Sequence, residues 1–142
     1  MVTGHNIPMG LRAAYLSMHR QTDACLAKYG VTANQFVLLA LLADEDGITQ
    51  QKLARRAFSD PNTIRAMLVL LGKRGLVARR QHSNDGRARN VTITRKGRQT
   101  YQRLFEESEP LHRRMLALFR RDQVKMLIMF LSRISEAMTE IQ

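Results

Sequence analysis

At 142 residues, 44% of them hydrophobic, the chain can build one domain with its own core and is too apolar for a disordered polycation, despite a formal net charge of +11. The longest unbroken apolar run, Phe36 to Ala43, covers eight residues where a membrane span needs about 20, and no charged-then-apolar segment opens the chain, so membrane and signal-peptide readings fall. A lone cysteine, Cys25, excludes an internal disulfide and four scattered histidines offer no zinc-fold spacing, so the expectation is a cytoplasmic protein with no metal and no cofactor.

Ile7, Leu11, Tyr15, Met18, Cys25, Leu26 and Tyr29 recur at helical spacing and predict an amphipathic first helix that ends before Gly30. Thr32-Ala33-Asn34-Gln35 then reads as a capping box, with Val31 and Phe36 placed to form a hydrophobic staple. The apolar run after it suits a buried central helix that stops at the acidic turn Asp44-Glu45-Asp46-Gly47. Thr49 can cap a short third helix to about Ala57.

Phe58-Ser59 turns the chain, and Asp60-Pro61 starts a fourth helix with an N-cap acceptor and the one helical position at which proline loses nothing. Ile64, Met67, Leu68 and Leu71 should form its core face, leaving Asn62, Arg65, Ala66, Val69 and Lys73 outward, with Gly75 as the stop. Leu76 to Arg80 and Arg89 to Thr94 read as the strands of a hairpin around the turn His82-Ser83-Asn84-Asp85-Gly86. Thr94 can cap a long helix to about Phe119, bent near Pro110, with Gly97 inside it where close backbone packing is the simplest reason for a glycine. A last helix follows Arg121, with Val124, Leu127, Ile128, Leu131, Ile134, Met138 and Ile141 at helical spacing.

The charge is not spread evenly. Thr49 to Arg103 holds fourteen Lys and Arg against Asp60 and Asp85 alone, a surplus of twelve, so the rest of the chain nets to −1. Such a block is the footprint expected of a surface that meets phosphate backbones. Two helices at a tight turn, the second polar outside, followed by a basic hairpin, is the order of a winged helix-turn-helix. A major groove admits one helix whose outer face offers hydrogen bonds and small apolar groups to base edges. Asn62, Thr63 and Arg65 can supply the first, and Ala66 and Val69 can meet thymine methyls. Thr49, Gln50, Pro61, Lys73 and Arg79 complete the expected DNA-facing set, with Arg87 and Arg89 at the hairpin tip entering the minor groove, where A·T-rich segments have enhanced negative potential. Asp85 and Gly86 are expected to order the tip.

DGRARNVTITRKG from Asp85, ITQQKLARR from Ile48, LGKRGLVARR from Leu71 and GVTANQF from Gly30 together resemble the MarR family of winged-helix transcriptional regulators. The resemblance spans nearly the whole chain. It implies a mainly α fold with a small β-hairpin wing, residues 30–98 forming the winged helix-turn-helix and 5–29 and 99–142 the dimerisation helices of a single 1–142 domain. It also implies a homodimer on a pseudo-palindromic operator in double-stranded DNA, and repression relieved by a small aromatic or carboxylate effector or by cysteine oxidation. The effector pocket is expected at Tyr15, Met18, Phe36 and His112. One departure stands out: Val69-Leu70 occupy positions where the family often has an Asp-Arg pair, and Ala66 one where Arg is common.

Other readings compete. Cys25 lies on the apolar stripe, which favours packing over redox sensing. His5, His19, His82 and His112 show neither i, i+4 pairing nor a nearby Cys or carboxylate ligand pattern, and Met18, Met67, Met126 and Met138 fall at packing positions. Catalysis lacks support, because the chain carries no phosphate-binding glycine loop, nucleophile elbow or HExxH. The rival from another class is a non-specific nucleic-acid packaging or RNA-binding protein. Single-stranded RNA wants stacking aromatics, and Thr49 to Arg103 offers only Phe58 and Tyr101.

Overall fold

The computed structural model describes residues 1–82 and 85–140, with the backbone alone described at 81–82, 85–89 and 140. In chain order the elements are α1 (Asn6–Leu26), a 3-10 turn (Ala27–Tyr29), α2 (Ala33–Asp44), β1 (Ile48–Thr49), α3 (Gln50–Arg56), α4 (Pro61–Lys73), β2 (Val77–His82), β3 (Asp85–Ile93), α5 (Arg95–Leu116) and α6 (Arg121–Glu140). The fold is mainly helical with a small antiparallel sheet, as the sequence predicts. The sheet has three strands in the order β1-β3-β2, not two. Ile48 faces Val91 and Thr49 faces Asn90, a strand too short for any alternation to reveal. The hairpin strands are also longer than expected: Asp85 and Gly86 begin β3 instead of sitting in the turn, and the turn residues Ser83 and Asn84 lie outside the described residues.

Two compact units divide at Ser108, one running Met1–Ser108 and the other Glu109–Gln142. In the first, Leu26, Leu38, Leu39, Leu42, Leu53, Ile64, Leu68, Leu71 and Leu104 are fully buried in one cluster that also takes in Ile48, Val77, Val91 and Ile93. Each such side chain contributes about 1.5–3 kcal/mol relative to exposure. In the second unit no described residue of α6 is buried. α5 ends at Leu116, short of the predicted Phe119, and Pro110 lies within it.

Local chemistry sets the boundaries. Thr32 forms the predicted capping box, its hydroxyl accepting from the Gln35 N–H while the Gln35 side chain accepts from the Thr32 N–H, both at 3.1 Å. Asp23, reaching across from α1, accepts a 2.6 Å bond from the Ala33 N–H and so satisfies another orphan donor of α2. Its other oxygen lies 3.3 Å from His19 Nε2, which corrects the expectation that no histidine has a carboxylate at i+4. α4 ends in a Schellman motif: Gly75, at φ +73°, supplies the left-handed residue, Gly75 N–H bonds the Gly72 carbonyl and Leu76 N–H the Leu71 carbonyl.

Thr94 caps α5 by accepting from the Gly97 N–H at 2.9 Å. A Cβ on Gly97 would stand 2.0 Å from the Leu76 carbonyl oxygen, which is the close backbone approach that requires glycine there. Cys25 is half-buried against the core and its thiol donates to the Glu107 carbonyl at 3.1 Å.

Candidate nucleic-acid interface

α3 and α4 are joined by a tight turn. Phe58 takes φ +51° there and is 79% exposed, while the Phe58 and Ser59 N–H groups bond the Arg55 and Ala54 carbonyls. Thr49 caps α3 by accepting from Lys52 N–H at 3.1 Å. Asp60 caps α4 twice over, accepting from the Thr63 N–H at 2.9 Å and from the Thr63 hydroxyl at 2.6 Å, with Pro61 at the first helical position. These bonds hold the Asp60 carboxyl below the usual carboxylate range, the Thr63 hydroxyl contributing most.

Ile64, Leu68 and Leu71 anchor α4 from below, with Met67 partly buried against the same cluster. Its other face is open: Pro61, Asn62, Thr63, Arg65, Ala66 and Lys73 are exposed and Val69 is half-buried. The predicted division into core and outer faces therefore holds except at Met67 and Val69, which are both half-buried. Thr49 and Gln50 are half-buried at the start of α3, and among the described residues the buried Gln50 Oε1 has no hydrogen-bond partner. Arg79 is exposed on β2 opposite Val91. Asp85, Gly86, Arg87 and Arg89 lie along β3, and their side chains fall outside the described residues.

The basic block separates into two populations that net charge could not distinguish. One is structural. Lys52 and Arg56 pair with Glu45, Arg56 also with Asp44 at 3.0 Å, and Arg98 with Asp46 at 3.1 Å. The Lys52 hydrogen bond is the main reason the Glu45 carboxyl lies below its ordinary range. The Arg74 guanidinium donates to the carbonyls of Gly30 at 2.9 Å and Tyr29 at 2.8 Å, tying the end of α4 to the end of the first helical segment. Lys96 caps the Arg74 carbonyl, and Arg103 lies 5.8 Å from the centre of the Tyr29 ring. The other population is open: Arg55, Arg65, Lys73, Arg79, Arg80 and Arg95 are exposed and have no acidic partner among the described residues. These are the cations available to an external polyanion.

Sequence reading missed Asp46. Its Oδ1 accepts from the Gly47 N–H at 3.0 Å and the Ile93 N–H at 2.9 Å, while Oδ2 takes Arg98, so one carboxylate pins the base of β3 to the turn after α2. The acidic triplet Asp44-Glu45-Asp46 was the available signal, since three carboxylates just before a basic block have partners to find.

A cavity of about 160 Å³ opens beside α4, lined by Tyr15 of α1, Asn34 and Val37 of α2, Phe58 and Ser59 of the turn, and Thr63 and Met67 of α4. Of the residues expected around an effector, Tyr15 lines it. Met18 is exposed on α1, Phe36 stacks on Tyr101 with ring centres 5.5 Å apart, and His112 belongs to the second unit, 3.9 Å from Glu109. Among the described residues, no group of three or more His, Cys, Asp or Glu could hold a metal ion, and no single helix is long and apolar enough to cross a membrane.

Residues 31–88 match the family model described as "MarR family". The HTH-type transcriptional repressor Rv2887 of Mycobacterium tuberculosis is 33% identical over 78 residues, a stretch covering 55% of this chain and 56% of that protein. The chain therefore spans about half the length of this curated relative. Among solved structures, the transcriptional repressor CouR bound to a 23-mer DNA duplex superposes with a TM-score of 0.80 at 30% identity, covering 89% of both chains. NadR in complex with 4-hydroxyphenylacetate gives 0.83 at 25% identity, covering 100% of this chain and 99% of that one.

Proposed function

The chain belongs to the MarR family of winged-helix, DNA-binding transcriptional regulators, and on that premise we propose that it acts as a homodimeric repressor of a pseudo-palindromic operator, released by a small effector. One observation carries this reading: α4 is rigidly capped and cored, and its open face is edged by cations that no carboxylate of the described chain neutralises. Asn62, Thr63 and Arg65 are the proposed base contacts, with Thr49, Gln50, Pro61, Lys73 and Arg79 near phosphates and Arg87 and Arg89 in the minor groove beside α4. Asp85 and Gly86 order the wing tip.

Dimerisation is supported by the apolar surface left open in one chain. Ile7, Leu11, Tyr15 and Met18 of α1 and Met126 to Leu131 of α6 are all exposed, more apolar surface than a stable monomer leaves wet. Two-fold symmetry then places the recognition helices about one helical turn apart along the duplex.

The effector reading is supported by the cavity beside α4 and by NadR, whose ligand, 4-hydroxyphenylacetate, combines a phenol and a carboxylate. A ligand touching Thr63 and Met67 acts on α4 itself. A tenfold loss of operator affinity needs about 1.4 kcal/mol of preference for the DNA-incompetent state.

The test is binding of the full chain to its own upstream DNA and to random duplex at two salt concentrations, with and without a panel of phenols and aromatic carboxylates. A regulator prefers the upstream DNA at both salts. Equal affinity for both DNAs, falling together with salt, marks a packaging protein instead.

A further inference from the structure

α4 buries Ile64, Leu68 and Leu71 completely, yet it leaves a second set of apolar side chains outside. Ala66 is exposed, Val69 half-buried and Leu70 51% exposed, and they stand at i, i+3 and i+4, so they share one side of the helix. This strip is no part of the core beneath α4, nor of the cavity beside it, whose α4 walls are Thr63, Ile64 and Met67. Helix propensity does not demand it, because a polar or charged residue would serve as well at an exposed helical site.

The surroundings identify what covers it. Arg65 and Lys73 of the same helix are exposed and without an acidic partner among the described residues, and Arg55 of α3 is likewise open. An apolar protein partner would bury the strip at the expense of stranding these cations, a costly desolvation. A DNA major groove meets both needs, with phosphates along its walls and, on its floor, one apolar substituent among the base edges, the thymine 5-methyl group. Ala66 and Leu70 are separated by roughly 6 Å along the helix axis at 1.5 Å per residue, close to two base-pair steps of about 3.4 Å.

We propose that Ala66, Val69 and Leu70 form a thymine-methyl reading strip, so that each operator half-site carries thymines at neighbouring steps where α4 lies in the groove. The inference rests on the DNA-binding reading above and specifies the chemistry of its target. Leu70 becomes a specificity-determining residue, one that a search for hydrogen-bonding or cationic side chains passes over.

Deoxyuridine isolates the effect, because it keeps every hydrogen-bonding group of thymine and lacks only the methyl. Duplexes selected by the full chain from a random pool are remade with each half-site thymine replaced by deoxyuridine, and affinities are read by fluorescence anisotropy at one fixed salt concentration. Loss of one buried methyl should weaken wild-type binding about fourfold. Leu70→Ala should bind the thymine duplex as weakly as wild type binds the uracil one, with no further loss on uracil at the position Leu70 covers. Val69→Ala should behave in the same way at a different thymine. Specific binding that is indifferent to deoxyuridine everywhere, or variants that keep full sensitivity to it, would overturn the strip while leaving the regulator reading intact. If no duplex is preferred over random sequence, both fall. Because the uracil comparison is made first on the unaltered chain, the result does not depend on how well either variant folds.

Discussion

α4 and α6 carry apolar residues at the same helical spacing and have opposite surroundings. α4 buries Ile64, Leu68 and Leu71 to 0% exposure in a core built with α2, α3 and the sheet. α6 is richer in large apolar side chains, yet Met126, Leu127, Ile128, Met129, Phe130 and Leu131 are 38–60% exposed. Exposure therefore means different things in the two helices. In α4 the core is already satisfied, so what faces outward is free to serve recognition. In α6 the large apolar side chains are themselves the exposed surface, the feature that the proposed homodimer accounts for.

Breaking this comparison is most direct at Ile128, which is 60% exposed. In a true monomer, Ile128→Glu would be an ordinary surface change within about ±0.5 kcal/mol. At a symmetric interface it places two charges in an apolar seam, and the expected outcome is a monomer at micromolar concentration by analytical ultracentrifugation, with selective duplex binding lost. An unchanged sedimentation coefficient and melting temperature would mean that α6 is not the seam.

The DNA-reading unit should be sensitive in the opposite way, to crowding inside. Gly97→Ala puts a methyl 2.0 Å from the Leu76 carbonyl oxygen and 2.8 Å from Ile93 Cγ1, where the backbones of the β2 entry and α5 cannot yield as a flexible side chain would. A loss of about 3 kcal/mol in urea denaturation is expected, at the upper end of overpacking costs. A loss below about 1 kcal/mol would show that the base of the wing is more pliable than its geometry indicates.

Much of this was legible in the sequence because local signals agreed with the tertiary result. The Thr32 capping box, the Asp60-Pro61 start and the Gly75 stop are each set by residues within a few positions, and each is observed. What was not legible depended on distant partners. β1 is two residues long and is a strand only because Val91 and Asn90 lie alongside it. The roles of Arg74 and Asp46 depend on carbonyl and amide groups 44 and 47 positions away, and nothing local marks an arginine as structural instead of DNA-facing. The charge surplus marks the expected DNA-facing block but overcounts the cations it can offer, since Lys52, Arg56, Arg74, Lys96, Arg98 and Arg103 have internal partners.

That sorting of cations is itself open to test. Arg65→Ala on the open face should cost roughly 1–3 kcal/mol on the selected duplex and much less on random DNA if Arg65 reads a guanine, whereas equal losses on both would make it a phosphate contact. Arg87→Ala should cost about 1 kcal/mol or more, with Arg87→Lys only partly restoring binding because a strongly hydrated ammonium is harder to dehydrate in a narrow groove. Neither change should alter stability beyond about ±0.5 kcal/mol. Arg74→Ala should do the reverse, lowering stability because its two carbonyl contacts disappear, with DNA affinity affected only through the fold. An Arg74→Ala protein of full stability and weak DNA binding would undo the division between structural and open cations.

The smallest expected effect lies at the start of α4. Asp60 is bonded by both the hydroxyl and the N–H of Thr63, and its carboxyl is held below the usual carboxylate range as a result. A group whose folded pKa is depressed adds stability that is complete above its unfolded value, about 4, and is lost as pH falls through the lower folded value. Asp60→Asn keeps an acceptor for the Thr63 N–H, and Asn is nearly as good an N-cap as Asp, so only the charge and the hydroxyl bond change. Wild type should therefore show a slightly higher urea midpoint than Asp60→Asn at pH 7, and the gap should close as pH drops below about 4. Because Ile64, Leu68 and Leu71 hold α4 from beneath, the gap should be far smaller than the loss from Gly97→Ala. A gap that stays constant with pH would mean that the charge on Asp60 contributes nothing, and one that widens in acid would contradict the depressed pKa.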